Sequence, residues 1–252
     1  MDVDYYDDLD LLLDQSSPEA IVISTPNNFH YEQILKVLEK KIPIFCEKPL
    51  FWDKKDSYKI FVKKLKFISE HPNRAIFVNT SSANYIESIK NLFPCKEDIH
   101  SFNLDFITHG NNEYLDIAED LLPHGLAMII ELFGCHEITS FKQEFSNSTY
   151  YCNFSYFGRL ISFNFKEGKL YKKKFMFTVN DRKFVRVQKG RFKNYEIFLN
   201  DISQNSKIKI EDPFEVYASR FLSFCTNNSN NQNDGFLEAS HNLNLMAKIL
   251  IK

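Results

Sequence analysis

Glycine is scarce in this chain, with seven residues in 252, and the first of them is Gly110. A glycine-rich turn that closes backbone N–H groups around a phosphate is therefore excluded before that point. Long apolar runs are missing too. Nothing approaches the roughly 18 residues of a membrane-spanning helix, and the first residues are acidic where a secretory leader is basic. The five cysteines (Cys46, Cys95, Cys135, Cys152 and Cys225) never form a C-x-x-C pair. This spacing argues against a zinc site or a disulfide scaffold, so reduced thiols, a cytoplasmic location and no metal are expected. Neither sign of charge dominates. A net charge of −2 gives no general attraction to nucleic acid or to an anionic membrane.

What is present is enough apolar material for a core. With 252 residues, 44% of them apolar and 15% aromatic, two domains are expected. The most informative stretch is Ala20 to Leu50, AIVISTPNNFHYEQILKVLEKKIPIFCEKPL. An apolar run, Ala20 to Ile23, ends at Ser24-Thr25-Pro26-Asn27, where Pro26 has no N–H for a strand ladder. Asn28 is the expected N-cap of a helix with Ile34, Leu35, Val37 and Leu38 on its apolar face. A second strand, Ile44-Phe45-Cys46, runs into Glu47-Lys48-Pro49. Strand, helix, strand in this order makes a right-handed βαβ unit of a parallel sheet. Ligands bind such sheets at the carboxyl ends of the strands, and both polar clusters fall there.

The rest of the chain supports that frame. Six Asp in the first fourteen residues accompany Leu9, Leu11, Leu12 and Leu13, which predicts a short helix with a solvated acidic face before Pro18. Asp56 to Ser69 reads as a helix with Ile60, Phe61, Leu65 and Ile68 inward. A strand over Ala75 to Val78, a helix over Asn84 to Leu92 and a strand over Ile99 to Thr108 follow. From Thr149 onward, short aromatic and β-branched runs alternate with turn signals such as Gly158 and Asn180-Asp181. They predict an antiparallel sheet of roughly four to six strands. A helix over Pro213 to Cys225, a polar tract from Thr226 to Gly235 and a helix over Phe236 to Ile251 close the chain.

T-P-N-x-x-H (Thr25 to His30), then a helix, a strand and C-E-K-P (Cys46 to Pro49), resembles the Gfo/Idh/MocA oxidoreductases. AEDLLPHGLAMIIELFG (Ala118 to Gly134) resembles the same family's D-x-x-x-H helix. The resemblance covers essentially the whole chain. It implies a nicotinamide-dependent oxidoreductase acting on a sugar, cyclitol or nucleotide sugar. In such a reaction a hydride leaves carbon while a proton leaves oxygen, so a base must reach the hydroxyl. By resemblance that base is Lys48, whose ordinary pKa must be lowered by its surroundings for the task. His124 assists proton transfer, and Asp120, four residues earlier on one helix face, anchors the substrate or orients the pair. Ser24, Thr25, Pro26, Asn27, His30, Glu47, Lys48 and Pro49 line the nicotinamide side, with His30 structural or near the cofactor. The resemblance also implies a homo-oligomer formed through the antiparallel sheet.

Two departures qualify the resemblance. The family opens with a strand, a G-x-G-x-x-G loop and a helix, about 60 residues in all, that grip the pyrophosphate. Nothing in this sequence supplies them. The expected fold class is α/β + α+β, a truncated Rossmann-type half-domain over 1–95 followed by an α+β domain with a mainly antiparallel sheet over 96–252. Binding of NAD or NADP is expected to be weakened or lost. A fragment or late-started reading frame, a degenerate descendant, or a half that pairs with another chain would each account for this. The second departure is Ala127, where the family carries an acid. Between Lys166 and Lys193 eleven Lys or Arg face two acids. This is the solvent face of a sheet, a surface for an anionic substrate, or, less in keeping with the rest, a single-strand nucleic-acid site. A cofactor-free binding or scaffolding homologue is the alternative function.

Overall fold

Short apolar strands separated by amphipathic helices dictate the first half of the chain. The computed structural model describes residues 4–190, 195–226 and 235–251. They fall into two units. One is formed by residues up to Thr80 with Ala218–Ala247, the other by Ser81–Tyr217 with Lys248–Leu250. The first opens with α1 (Leu9–Gln15), β1 (Ile21–Ile23), α2 (Asn27–Glu39), β2 (Ile44–Glu47), α3 (Tyr58–Ser69) and β3 (Ile76–Asn79). The three strands lie side by side in the order β1-β2-β3, all parallel, with Ile23 beside Cys46 and Glu47 beside Asn79.

Local chemistry sets the element ends. Asp8 caps α1 by accepting from the N–H groups of Asp10 and Leu11 at 2.7 and 3.3 Å. Asp10 and Asp14 pair with Lys36 and Lys40 of α2, each at 2.7 Å. These pairs are exposed and contribute little. The N-cap of α2 is Pro26 rather than the expected Asn28. Pro26 has a φ of −55°, already compatible with helix entry, and its missing N–H has no partner to lose there. In α3 Phe61 and Ile68 are buried, but Ile60, expected inward, is 47% exposed. One residue is 100° of helix rotation, which carries Ile60 off the Phe61–Ile68 stripe.

The second unit holds α4 (Ala83–Glu87), β4 (Ser101–Thr108), α5 (Leu115–Phe133), β5 (Ile138–Ser146), β6 (Thr149–Tyr156), β7 (Arg159–Glu167), β8 (Lys174–Val179), β9 (Arg182–Lys189), β10 (Glu196–Asp201) and β11 (Ser206–Ile210). The helix expected over Asn84 to Leu92 is broken. After α4 the hydroxyl of Ser88 donates to the Asn84 carbonyl at 2.7 Å, and a separate 3₁₀ turn follows over Lys90–Leu92. The sheet has eight strands in the order β11-β10-β9-β8-β4-β7-β6-β5, two more than the upper expectation. The additional strands are the edges β5 and β11, whose residues are mostly exposed. Every pairing is antiparallel except β4 with β7. Phe157 and Gly158 both have positive φ, the geometry of a two-residue turn that matches strand twist between β6 and β7.

Helix α5 packs over β4, β6 and β7. The sheet face beneath it is aromatic, with Phe102, Phe163, Phe165 and Phe177 fully buried. Two helices, α6 (Pro213–Thr226) and α7 (Phe236–Leu250), end the chain. Within the first unit Phe221 of α6 meets Phe45 and Phe77 at ring distances of 5.4 and 6.1 Å. The guanidinium of Arg74 lies 4.2 Å over the Phe236 ring. The polar tract between the two helices lies, apart from its end residues, outside the described residues.

Candidate active site

In the first unit the carboxyl ends of β1 and β2 carry the residues singled out in the sequence. Ser24, Thr25 and Pro26 form an exposed ledge after β1, with Asn27 half-buried behind it. Glu47 and Lys48 are half-buried at the end of β2, Pro49 is buried, and the Lys48–Pro49 peptide is cis. His30 ties the two ends together. Its Nε2 lies 2.8 Å from the Thr25 carbonyl oxygen and its Nδ1 3.1 Å from that of Pro49. The ring is 1% exposed, so its place is beneath the ledge. A further clasp comes from the backbone N–H of Trp52, which donates to the Asn27 carbonyl at 3.1 Å. Cys46 packs against the same ring, its Sγ 3.5 Å from Nδ1, and burial drives its thiol pKa up, foremost, with Glu47 adding to the shift.

At the end of β3 the Asn79 amide donates to Glu47 Oε1 at 2.7 Å. Its own Oδ1 is buried with no partner among the described residues. A buried acceptor of this kind, beside a strand-end ledge, fits the carboxamide end of a nicotinamide. The residues present therefore suit one end of a dinucleotide. Among the described residues, no loop before Gly110 carries the glycines that would close around its pyrophosphate.

The second unit contains a pocket of about 450 Å³ between the helix-covered sheet face and α4 and α5. His124 of α5 lines it together with Ser82, Tyr85, Phe106, Phe175 and Arg186. The Oγ of Ser82 and Nδ1 of His124 are hydrogen-bonded at 2.7 Å, and the Phe106 ring meets the imidazole edge-on at 5.4 Å. Phe175 stands 5.0 Å from Phe106 and 4.8 Å from Tyr85, completing an aromatic wall. Burial pushes the Tyr85 phenol up, while Arg186 beside it acts in the opposite direction.

Asp120 lies one turn before His124 and is not among the residues lining this pocket. Its carboxyl is hydrogen-bonded to that of Glu167. Glu167 is 2% exposed and accepts from the backbone N–H and side-chain amide of Asn112 at 3.0 and 3.3 Å. Burial raises the Glu167 pKa, the Asn112 donors oppose that shift, and Asp120 adds to it. Sequence reasoning did not find Ser82, Tyr85, Glu167 or Arg186. Arg186 left one signal, its alternation with Phe184 on the inward face of a strand.

A parallel-sheet unit followed by a larger mixed-sheet unit is the two-domain architecture of a class of oxidoreductases. Solved structures share it. An oxidoreductase from Thermotoga maritima is similar with a TM-score of 0.68 at 14% identity, over 98% of this chain and 81% of that one. A 3-ketoreductase from Actinomadura kijaniata, solved with TDP-benzene and NADP, is similar with a TM-score of 0.65 at 12% identity, over 96% and 80% of the two chains. At these identities the likeness is one of fold. Residues 1–67 match the family described as an oxidoreductase family with an NAD-binding Rossmann fold, Gfo/Idh/MocA. An inositol 2-dehydrogenase from Arthrobacter is 42% identical over 53 residues, 21% of this chain and 16% of the relative. The 2,7-anhydro-N-acetylneuraminate hydratase of Mediterraneibacter gnavus is 40% identical over 50 residues, 20% and 13% of the two lengths. The aligned stretches thus span a small part of the curated relatives. Over residues 1–67 the chain is thus similar in sequence to the Gfo/Idh/MocA oxidoreductases, and over its remainder the likeness to oxidoreductases is one of fold.

Proposed function

We propose that the chain serves an NAD(P)-dependent oxidoreductase that acts on a hydroxyl or carbonyl carbon of a sugar, cyclitol or nucleotide sugar. The observation that carries this reading is the presentation of His124 to an aromatic-walled pocket of about 450 Å³ with Ser82 held on its Nδ1. Aromatic walls suit the C–H faces of a sugar ring, and polar groups at the rim suit its hydroxyls. If Nδ1–H donates to Ser82, Nε2 is the acceptor nitrogen, the tautomer that takes a proton from a hydroxyl. Lys48 is read as the base and His124 as its proton partner. Asp120, engaged with Glu167, is read as a positioning residue for the helix turn that carries His124 and as the substrate anchor in the family pattern.

On the same reading Ser24, Thr25, Pro26, Asn27, Glu47 and Pro49 meet the nicotinamide side of NAD or NADP, and His30 holds their loops in register. The nicotinamide, when bound, supplies the hydride acceptor or donor. A homo-oligomer formed through the outer face of the sheet belongs to this reading, and sedimentation velocity tests it. Calorimetric titration of the purified chain with NAD and NADP is the decisive experiment. Micromolar binding, followed by cofactor reduction by an alcohol substrate that Lys48→Ala abolishes, would support a working site despite the missing glycine-rich loop. The absence of glycine before Gly110 favours one second reading, a cofactor-free homologue that only binds or scaffolds. No cofactor binding at millimolar concentration would select it for this chain.

A further inference from the structure

We propose that the pocket beside His124 takes a polyol carrying one anionic group, a carboxylate or a phosphate, and that Arg186 selects it. This rests on the reading of that pocket as the substrate site. The inward face of β9 carries Arg182, Phe184, Arg186 and Gln188, and the two arginines differ in one respect. The Nε of Arg182 donates to Asp201 Oδ2 at 2.6 Å, and that carboxylate is completely buried. Asp201 also accepts from the N–H groups of Ser203 and Gln204, each at 3.1 Å. Arg182 is thus a matched structural cation.

Arg186 is not matched. Among the described residues no carboxylate lies within ion-pair distance of it. Its Nη2 donates to Gln188 Oε1 at 3.0 Å, its guanidinium lies against the Tyr85 phenol, and its Nε is buried without a hydrogen-bond partner. Asp212, an acid that also lines the pocket, is hydrogen-bonded to the Phe214 N–H at 3.0 Å at the start of α6. A half-buried guanidinium without a counter-charge is costly, and a bound anion removes that cost. Its planar fork meets carboxylate or phosphate oxygens at two points. A pocket of about 450 Å³ holds a molecule of monosaccharide size. The aromatic wall, Gln188 and His124 then meet the neutral remainder of that molecule.

The test is calorimetric titration of the purified chain, without cofactor, with glucuronate, glucose 6-phosphate and glucose. One of the two anions is expected to bind about tenfold tighter than glucose. Tighter glucuronate assigns a carboxylate, and tighter glucose 6-phosphate assigns a phosphate. Arg186→Gln should erase the preference. Lys183→Gln, on the opposite face of β9, should keep it. Equal affinities in the natural chain, failure of both anions to bind, or a preference that survives Arg186→Gln would overturn the proposal. Should Arg186→Gln fail to fold, Arg186→Lys reads the same point, since a point charge without the fork should weaken the preference. Because no cofactor enters the titration, loss of NAD(P) binding would count against the oxidoreductase reading and leave this one standing.

Discussion

Ser82 and His124 meet at 2.7 Å, the hydroxyl just ahead of α4 holding Nδ1 of an imidazole in the middle of α5. Ser82 is 5% exposed, so water competes poorly for that contact. The hydrogen bond holds the imidazole in one orientation against the pocket wall. Ser82→Ala is expected to release the ring from that orientation, visible as a change in the ¹⁵N shifts of the His124 ring. Turnover should fall on the order of tenfold, with about 1 kcal/mol of stability lost. Ring shifts identical in the two proteins would rule out an orienting role for Ser82.

His30 answers to a different measurement. Its ring sits between two carbonyl oxygens, at 2.8 and 3.1 Å, and fixes the ends of β1 and β2 against each other. Leucine fills the same space but offers neither oxygen a donor. His30→Leu should therefore cost about 2 kcal/mol, on the order of 5 °C in thermal midpoint for a chain of this size. Retention of the natural midpoint would show that the ring carries no structural burden, and a role against a ligand would have to replace it.

Glu167 gives the second unit a pH dependence of definite sign. Burial, then the Asp120 carboxyl, raises its pKa against the opposing Asn112 donors. A carboxyl whose folded pKa lies above its unfolded value holds its proton longer in the folded state. Its contribution is complete below the unfolded pKa and is lost as pH rises through the folded one. Glu167→Gln imitates the protonated form, accepting from Asn112 and donating to Asp120. Urea midpoints measured from pH 4 to pH 8 should fall more steeply with pH in the natural chain than in the Gln variant. Parallel profiles would mean that the pair does not share a proton.

Much of the architecture could be read from local pattern. Ala20 to Leu50 was legible because Pro26, the helix periodicity and the short apolar strands are all sequence-local. Helix α5 was legible through its resemblance to the D-x-x-x-H helix of the Gfo/Idh/MocA oxidoreductases, and with it the positions of Asp120 and His124. The edges β5 and β11 were not, since exposed edge strands bury too little to impose alternation on their residues. The pocket was hidden for a stronger reason. Arg186 reaches it through the register of β9 with β8 and β10, and Ser82 reaches His124 across 42 positions of chain. Asp120 shows the limit of a motif, which placed the residue on its helix and could not foresee that Glu167 would claim its carboxyl.

Gly125 is next to His124, and its worth lies in what a methyl group would strike. A Cβ built there falls 2.8 to 3.0 Å from three atoms of the Phe163 ring. Alanine in a helix normally gains up to about 1 kcal/mol over glycine. Overpacking a rigid core costs roughly 1–3 kcal/mol. The second effect should win, because Phe163 is fully buried and held by Phe154 edge-on at 5.4 Å and by Phe165 stacked at 5.6 Å, so the ring has nowhere to retreat. Gly125→Ala is therefore expected to lower stability by about 1 kcal/mol or more. Phe163→Leu alone should also destabilise, by about 1–2 kcal/mol. The two defects relieve each other, since the smaller side chain vacates the space that the methyl needs. The double variant should be more stable than the sum of the single losses predicts by about 1 kcal/mol. Additivity within about 0.5 kcal/mol in urea unfolding would show that glycine is present at 125 for a reason other than the ring beneath it.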